Sequence, residues 1–324
     1  MNRLQTDNDR NALVSVIVPV KNDRNRLQVC LESLKRLSQT AEIIVVDNGS
    51  TDGSSDLARS MGVKVLVFPG LKVGALRNRG VNESTGRVLA FVDSDHEVPD
   101  DWLVQGLAVL GESPQVYACG SHYLPPVQGT WVQRVWAIHR LRGPERVDSV
   151  EWLGSGNLFV RRDAFEKISG FREDLIAAED VDLCHRLVQA SGRIVSDRKI
   201  RSLHHGEPKY LVDFIRKEYW RGSSGLRAWV SQGFPVRDLP SFVWPVWHLM
   251  FFVLFSISLF LFLLFLTPMM AILNLVALAL WIVPSVLLSI RTCLSQRNLR
   301  NAPALTVLYW TYGMTRAAAL FKAW

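Results

Sequence analysis

Cysteine is scarce in this chain: four residues among 324, Cys30, Cys119, Cys184 and Cys293, far apart and without a C-x-x-C pair. That excludes a zinc knuckle and a disulfide framework and suits a reducing compartment. Neither G-x-x-x-x-G-K-[ST] nor a G-x-G-x-x-G following a strand is present, so P-loop and dinucleotide chemistries are excluded as well. Internal repeats and low-complexity segments are lacking. The first stretch, MNRLQTDNDRNALVSVIVPV, has no apolar run of signal-peptide length because Pro19 cuts it short. The first domain is therefore expected to stay on the side of the membrane where it is made.

Two later stretches lack charge altogether. VWHLMFFVLFSISLFLFLLFL, from Val246 to Leu266, and AILNLVALALWIVPSVLLSI, from Ala271 to Ile290, hold no Asp, Glu, Lys or Arg. At a rise of about 1.5 Å per residue, each is long enough to cross a hydrocarbon core of about 30 Å. Two transmembrane helices joined by the turn TPMM are expected. The net charge of +7 does not point to nucleic acid, because of where the charge lies. Arg216, Lys217, Arg221, Arg227 and Arg237 precede the first span, and Arg291, Arg297 and Arg300 follow the second. The turn between is uncharged, so the positive-inside asymmetry places both flanks in the cytoplasm, and the excess suits anionic headgroups and a diphosphate substrate.

The first half of the chain alternates. Apolar runs VSVIVP, EIIVVD, VKVLVF and RVLAFVD are separated by helical periods at 24–37, 54–61 and 73–83. Continuous apolar strands alternating with helices indicate a mostly parallel sheet covered on both faces, and ligands bind beyond the carboxyl ends of such strands. The polar clusters sit at those ends. RVLAFVDSDHEVPDDW delivers Asp93 and Asp95 straight after a buried strand, where two acids repel unless a cation lies between them. Taken alone, the triplet is equally a polar loop running into a helix that opens at Pro99. VDNGSTDGS ends another strand with small residues that are also good turn and cap formers. In AAEDVDLCHRLVQASG, Val181, Cys184, Leu187 and Val188 recur at helical spacing, which puts Glu179 and Asp180 in the first turn, facing the end of the sheet.

VSVIVPVKN, EIIVVDNGSTDGS, GALRNRG, GRVLAFVDSD with Pro99 and Trp102 after it, GNLFVRRDAFEKISGF and AAEDVDLCHRL occur in the order and spacing of family 2 glycosyltransferases. The resemblance runs from Val14 to Gly222. It implies an α/β fold of GT-A type, a mostly parallel sheet with helices on both faces, followed here by C-terminal transmembrane helices. It also implies an inverting transfer from a nucleotide-sugar donor, with a UDP-sugar expected.

The roles below are those the resemblance implies. Pro19, Val20 and Asn22 line the nucleotide pocket, and Asp47 accepts a hydrogen bond from the base. Arg77 and Asn78 reach the diphosphate or sugar, a task suited to a cationic fork. Asp93 and Asp95 form the D-x-D pair that holds Mg²⁺ or Mn²⁺, with Asp93 and Ser94 also meeting the nucleotide-sugar. Glu179 and Asp180 form the acidic pair at the acceptor, with Asp180 as general base and Asp182 structural. Of His204 and His205, either of which follows a strand and meets the metal or diphosphate, His204 is favoured.

The processive synthases of the family carry Q-x-x-R-W before their later membrane helices. Here KEYWRGSSGLRAW has no Gln and two spans follow, which argues against chain extension and for transfer of a single sugar. The expected organisation is a catalytic domain at 1–207, an interfacial helical linker at 208–241, a transmembrane hairpin at 242–290, and a basic loop with a membrane-associated helix at 291–324. A third span is the alternative for that last helix. The expected partners are the donor, a lipid-linked saccharide acceptor and membrane lipids, with no nucleic acid, at the cytoplasmic face of the inner membrane. Rival expectations are direct transfer to a polyprenyl phosphate, and a non-catalytic domain that only binds nucleotide or polysaccharide.

Overall fold

The computed structural model describes residues 14–37, 41–141, 144–231 and 239–322. The N-terminal stretch before Val14 and the expected basic flank at Arg237 lie outside the described residues. The chain divides into two compact units: 1–126 with 144–207, and 127–143 with 208–324.

The first unit is the alternating one. Its elements run β1 (Val14–Val20), α1 (Arg24–Lys35), β2 (Glu42–Asp47), α2 (Ser54–Ser60), β3 (Lys64–Val67), α3 (Val73–Asn82), β4 (Val88–Val92), β5 (His96–Glu97), α4 (Trp102–Gly111) and β6 (Val116–Gly120). The next helix, α5 (Trp131–Arg140), groups with the second unit. Then follow β7 (Arg146–Val147), β8 (Asn157–Arg161), α6 (Arg162–Lys167), α7 (Glu179–Gln189), β9 (Arg193–Asp197) and β10 (Leu203–His204).

One sheet takes the order β3-β2-β1-β4-β8-β6-β9-β7. Its first four strands are parallel neighbours, β8 runs antiparallel to both β4 and β6, and β6 pairs parallel with β9. All seven residues of β1 are buried, as a strand covered on both faces requires. The period of two sends Val16 and Val18 to one core, against Leu27, Leu31 and Trp102, and Ile17 to the other, with Phe91, Leu76 and Phe165. On that second face α3 lies so close that a Cβ at Gly80 would come within 2.5 Å of Ile17. The expected α/β architecture with helices on both faces is what the chain forms. A second, two-stranded sheet joins β5 and β10 antiparallel, with His96 opposite His204.

The second unit is helical: α5, α8 (Leu211–Ser231), α9 (Pro240–Phe265), α10 (Pro268–Ser295) and α11 (Ala302–Ala319). Ser241–Phe265 and Pro268–Ser295 have mean hydropathies of 2.5 and 2.4 and are long enough to cross a membrane. Between them Leu266 adopts φ 48°, and the Thr267 side chain caps α10 by accepting from the Met270 amide at 3.4 Å. α11 is not a third apolar span of this kind among the described residues. Its Leu305, Leu308 and Tyr309 are buried in a cluster with Trp136 of α5 and Phe214 of α8. Glu218 of α8, buried, accepts from Arg316 at 2.8 Å and from Arg221 at 2.8 Å, so α8 and α11 are tied by a paired charge as well as by apolar contact.

Candidate active site

The carboxyl end of β4 turns through Asp93, Ser94 and Asp95 into β5, and the pairing of β5 with β10 closes a cluster there. His204 Nε2 lies 3.0 Å from Asp95 Oδ2 and its Nδ1 lies 2.7 Å from Glu207 Oε1. His96 Nδ1 meets Ser202 Oγ at 2.9 Å, its Nε2 stands 3.9 Å from Asp95 Oδ1, and the two imidazole rings are 4.6 Å apart. Asp95, His96 and His204 each offer a ligand atom, all within 4.8 Å of one another. Carboxylate and imidazole donors at that spacing fit a divalent cation, and Glu207 orients His204 in the manner of an outer-shell carboxylate. His205 is directed elsewhere, with its Nε2 2.9 Å from Glu97 Oε2.

Glycine makes this closeness possible: a Cβ at Gly206 would overlap the Asp95 carboxylate, and one at Gly156 would lie 2.8 Å from Asp93 Oδ2 and 3.1 Å from His96 Nε2. Burial by itself would raise the Asp95 carboxyl. The hydrogen bond from His204 and the charges of His204 and His96 outweigh it and hold Asp95 well below the usual carboxylate range. Burial and the neighbouring His204 charge push His96 down to about 4, whereas the bonds to Asp95 and Glu207 overcome burial and raise His204.

Asp93 belongs to a different contact. Arg77 of α3, buried, donates from Nη2 to Asp93 Oδ1 at 2.7 Å and from Nη1 to Glu179 Oε1 at 2.8 Å, with its guanidinium 5.5 Å above the Phe171 ring. Arg77 and Asn78 are expected at the diphosphate or sugar, yet here the protein itself engages both. Asn78 donates to Phe171 O at 2.8 Å and to Glu173 Oε1 at 3.1 Å, and accepts from the Phe171 amide at 3.0 Å. It pins the segment leading to α7. Arg77 instead joins the D-x-D end to the acidic pair, reaching Glu179 across 102 residues of chain.

At the far side of that bridge Ala178, at φ 60°, turns the chain into α7. Glu179 faces Arg77. Asp180 accepts from the Val181 amide at 2.9 Å, and burial together with the Glu179 charge raises its carboxyl to about 6, against the opposing pull of Arg77. Asp182 pairs with Arg186 at 2.7 Å along the helix, a structural contact.

The loops after β1 and β2 interlock. Pro19 and Val20 end β1, and Asn22, at φ 50°, donates its amide to Ser50 Oγ at 2.8 Å and accepts from the Thr51 amide at 2.8 Å. Asp47, expected to read the base, is fully buried; its Oδ1 accepts from the Ser50 amide at 2.7 Å and its Oδ2 from Ser55 Oγ. Beside it Asn48 donates to Leu71 O at 2.9 Å and keeps a buried Oδ1 without a partner. Ser94 donates to Asp23 Oδ2 at 3.2 Å. Residues that sequence reasoning missed are His96, Glu207 and Asp23. The first directly follows Asp95 and the second follows His204 by three, but neither spacing has meaning until β5 meets β10.

Residues 15–169 match the family described as glycosyl transferase family 2. Glycosyltransferase AglE of Haloferax volcanii is 28% identical over 251 residues, which span 74% of this chain and 81% of that protein. A pre-mycofactocin glycosyltransferase of Mycobacterium tuberculosis is 30% identical over 226 residues, and there the match spans 65% of this chain and under half, 46%, of the relative. Among solved structures, the mannosyltransferase PcManGT from Pyrobaculum calidifontis, in complex with GDP-Man and Mn²⁺, superposes with a TM-score of 0.60 at 17% identity, over 97% of this chain and 88% of that one. Sheet order, motif order and these likenesses agree: residues 15–169 carry the match to glycosyl transferase family 2, and the α/β unit has the GT-A fold.

Proposed function

We propose that this protein is an inverting, metal-dependent glycosyltransferase that moves one sugar from a nucleotide-sugar donor to a hydroxyl of a lipid-linked saccharide at the cytoplasmic face of the membrane. The observation that carries the reading is Asp180, a carboxyl raised to about 6 at the end of the Arg77 bridge from the D-x-D turn. A sugar hydroxyl is a poor nucleophile until a base takes its proton, and a carboxylate tuned toward neutrality is suited to that task. As the hydroxyl oxygen bonds to the anomeric carbon from the face opposite the leaving group, Asp180 takes the proton. The bond from that carbon to the diphosphate oxygen breaks with its electron pair, and the nucleoside diphosphate departs. Asp95, His96 and His204 would hold a divalent cation, which when bound neutralises charge on the diphosphate. Two imidazoles beside one carboxylate suit Mn²⁺ better than Mg²⁺.

The two apolar helices and the basic residues around them support anchoring with both flanks cytoplasmic. Labelling of a cysteine introduced at Arg297 from the cytoplasmic side alone is the expected result, and labelling from outside removes this topology.

The activity is tested by nucleoside diphosphate release from the full-length protein with Mn²⁺ and a panel of UDP- and GDP-sugars. Release that is lost in Asp95→Ala supports the reading; no release from any donor defeats it. A polyprenyl phosphate acceptor is already anionic near neutral pH and needs no base. Near-normal turnover in Asp180→Asn, with Asp95→Ala dead, would move the assignment to that acceptor.

A further inference from the structure

The loop between β7 and β8 runs past both ends of the site. Val150 donates its amide to Ile194 O at 3.0 Å, which ties the start of the loop to β9. Leu153, 1% exposed, is clasped to α7: its amide donates to Cys184 Sγ at 3.5 Å, and that thiol donates back to Leu153 O at 3.6 Å. Cys184 stands one helical turn beyond Asp180, so the clasp fixes the loop over the base. At Gly154 a Cβ would lie 3.7 Å from Asp180 Oδ2, and at Gly156 one would touch Asp93 and His96. In two residues, at most about 7 Å, the backbone therefore passes from the base to the metal cluster. Followed the other way from Gly154, it reaches Trp152 within the same length of chain.

Trp152 is 45% exposed, although its neighbour Leu153 is buried. Among the described residues of the α/β unit it is the one exposed Trp, Tyr or Phe. An indole offers a flat, electron-rich face at low conformational cost, and a pyranose offers a face of C–H groups with its hydroxyls at the rim. Glu151 beside it is also exposed and supplies an acceptor for such a rim.

We propose that Trp152 is the stacking platform for the pyranose ring of the acceptor, holding its nucleophilic hydroxyl toward Asp180. This rests on the reading of the acceptor as a saccharide hydroxyl. The platform belongs to a loop whose backbone is held at Val150, Leu153 and Gly156, so the ring is presented by a fixed frame.

The test is saturation-transfer difference NMR on the full-length protein in a detergent without a sugar headgroup, with Mg²⁺ and UDP or GDP. Methyl α-D-mannopyranoside, methyl β-D-glucopyranoside and methyl β-D-galactopyranoside serve as probes. Wild type should give signals on the ring C–H protons of at least one probe. Trp152→Ala should lose them by about two- to tenfold, and Trp152→Phe should keep most of them. Equal signals in Trp152→Ala and wild type, or no ring signal from any probe in wild type, overturn the platform. Nucleoside diphosphate release with water as acceptor is measured on the wild-type sample. Absence of release from wild type would count against the glycosyltransferase reading, whereas retained release with unchanged sugar contact in Trp152→Ala would sink the platform alone.

Discussion

At the candidate metal end of the site Asp95 lies between two imidazoles, and at the candidate base end Asp180 lies beside a second carboxylate. Both aspartates are removed from water, which alone would raise either one. The partners decide the outcome: His204 and His96 hold Asp95 low, and Glu179 helps to push Asp180 up to about 6. One side-chain type is thus held ionised in one place and given a raised proton affinity in the other, and environment makes the division. Arg77 bridges the two ends, paired with Asp93 on one side and Glu179 on the other.

The contrast can be broken most severely at the metal end. Asp95→Ala should lower turnover by at least about 10³-fold with the fold retained, chelator should reproduce the loss, and Mn²⁺ should restore the wild type. Circular dichroism together with nucleotide release measures both parts; full activity in chelator would remove the cation from the account. At the base end Asp180→Asn should cost about 10²- to 10⁴-fold in turnover with donor affinity little changed. A donor Kd that rises in step with the lost turnover would show that Asp180 binds donor instead of taking a proton.

A smaller effect is expected one shell out. Glu207→Gln leaves His204 in place but weakens its orientation, so the Mn²⁺ concentration for half-maximal activity should rise by about 10- to 100-fold. An unchanged Mn²⁺ titration would leave His204 outside the cation site. The smallest change sharpens the base end. Asp180 accepts a proton only when ionised, so activity should fall as pH drops through about 6. Glu179 raises that value by like-charge repulsion, so Glu179→Gln should move the acid limb of the pH–rate profile to lower pH, by about one unit. A limb that moves upward, or stays, would mean that Glu179 does not set the Asp180 proton affinity.

Local pattern was enough for much of this protein. The fully buried β1, the alternation of strands and helices and the two long apolar helices follow from runs and periods within a few tens of residues. The placing of Glu179 and Asp180 at the opening of a helix came from the same source, because α7 carries its apolar spacing in its own sequence. What local pattern could not supply is who meets whom. β5 and β10 are two residues each, too short for any period to be seen, yet their pairing brings His204 to Asp95 across 109 residues and recruits His96. Arg77 reads as a free cation for a diphosphate until α3 and α7 dock and give it two carboxylates. Asp47 reads as an available acceptor until the loop after β2 folds Ser50 and Ser55 onto both of its oxygens. A side chain's type and its place on an element are written in the sequence, whereas its charge state and its freedom to bind depend on partners that only the closed fold delivers.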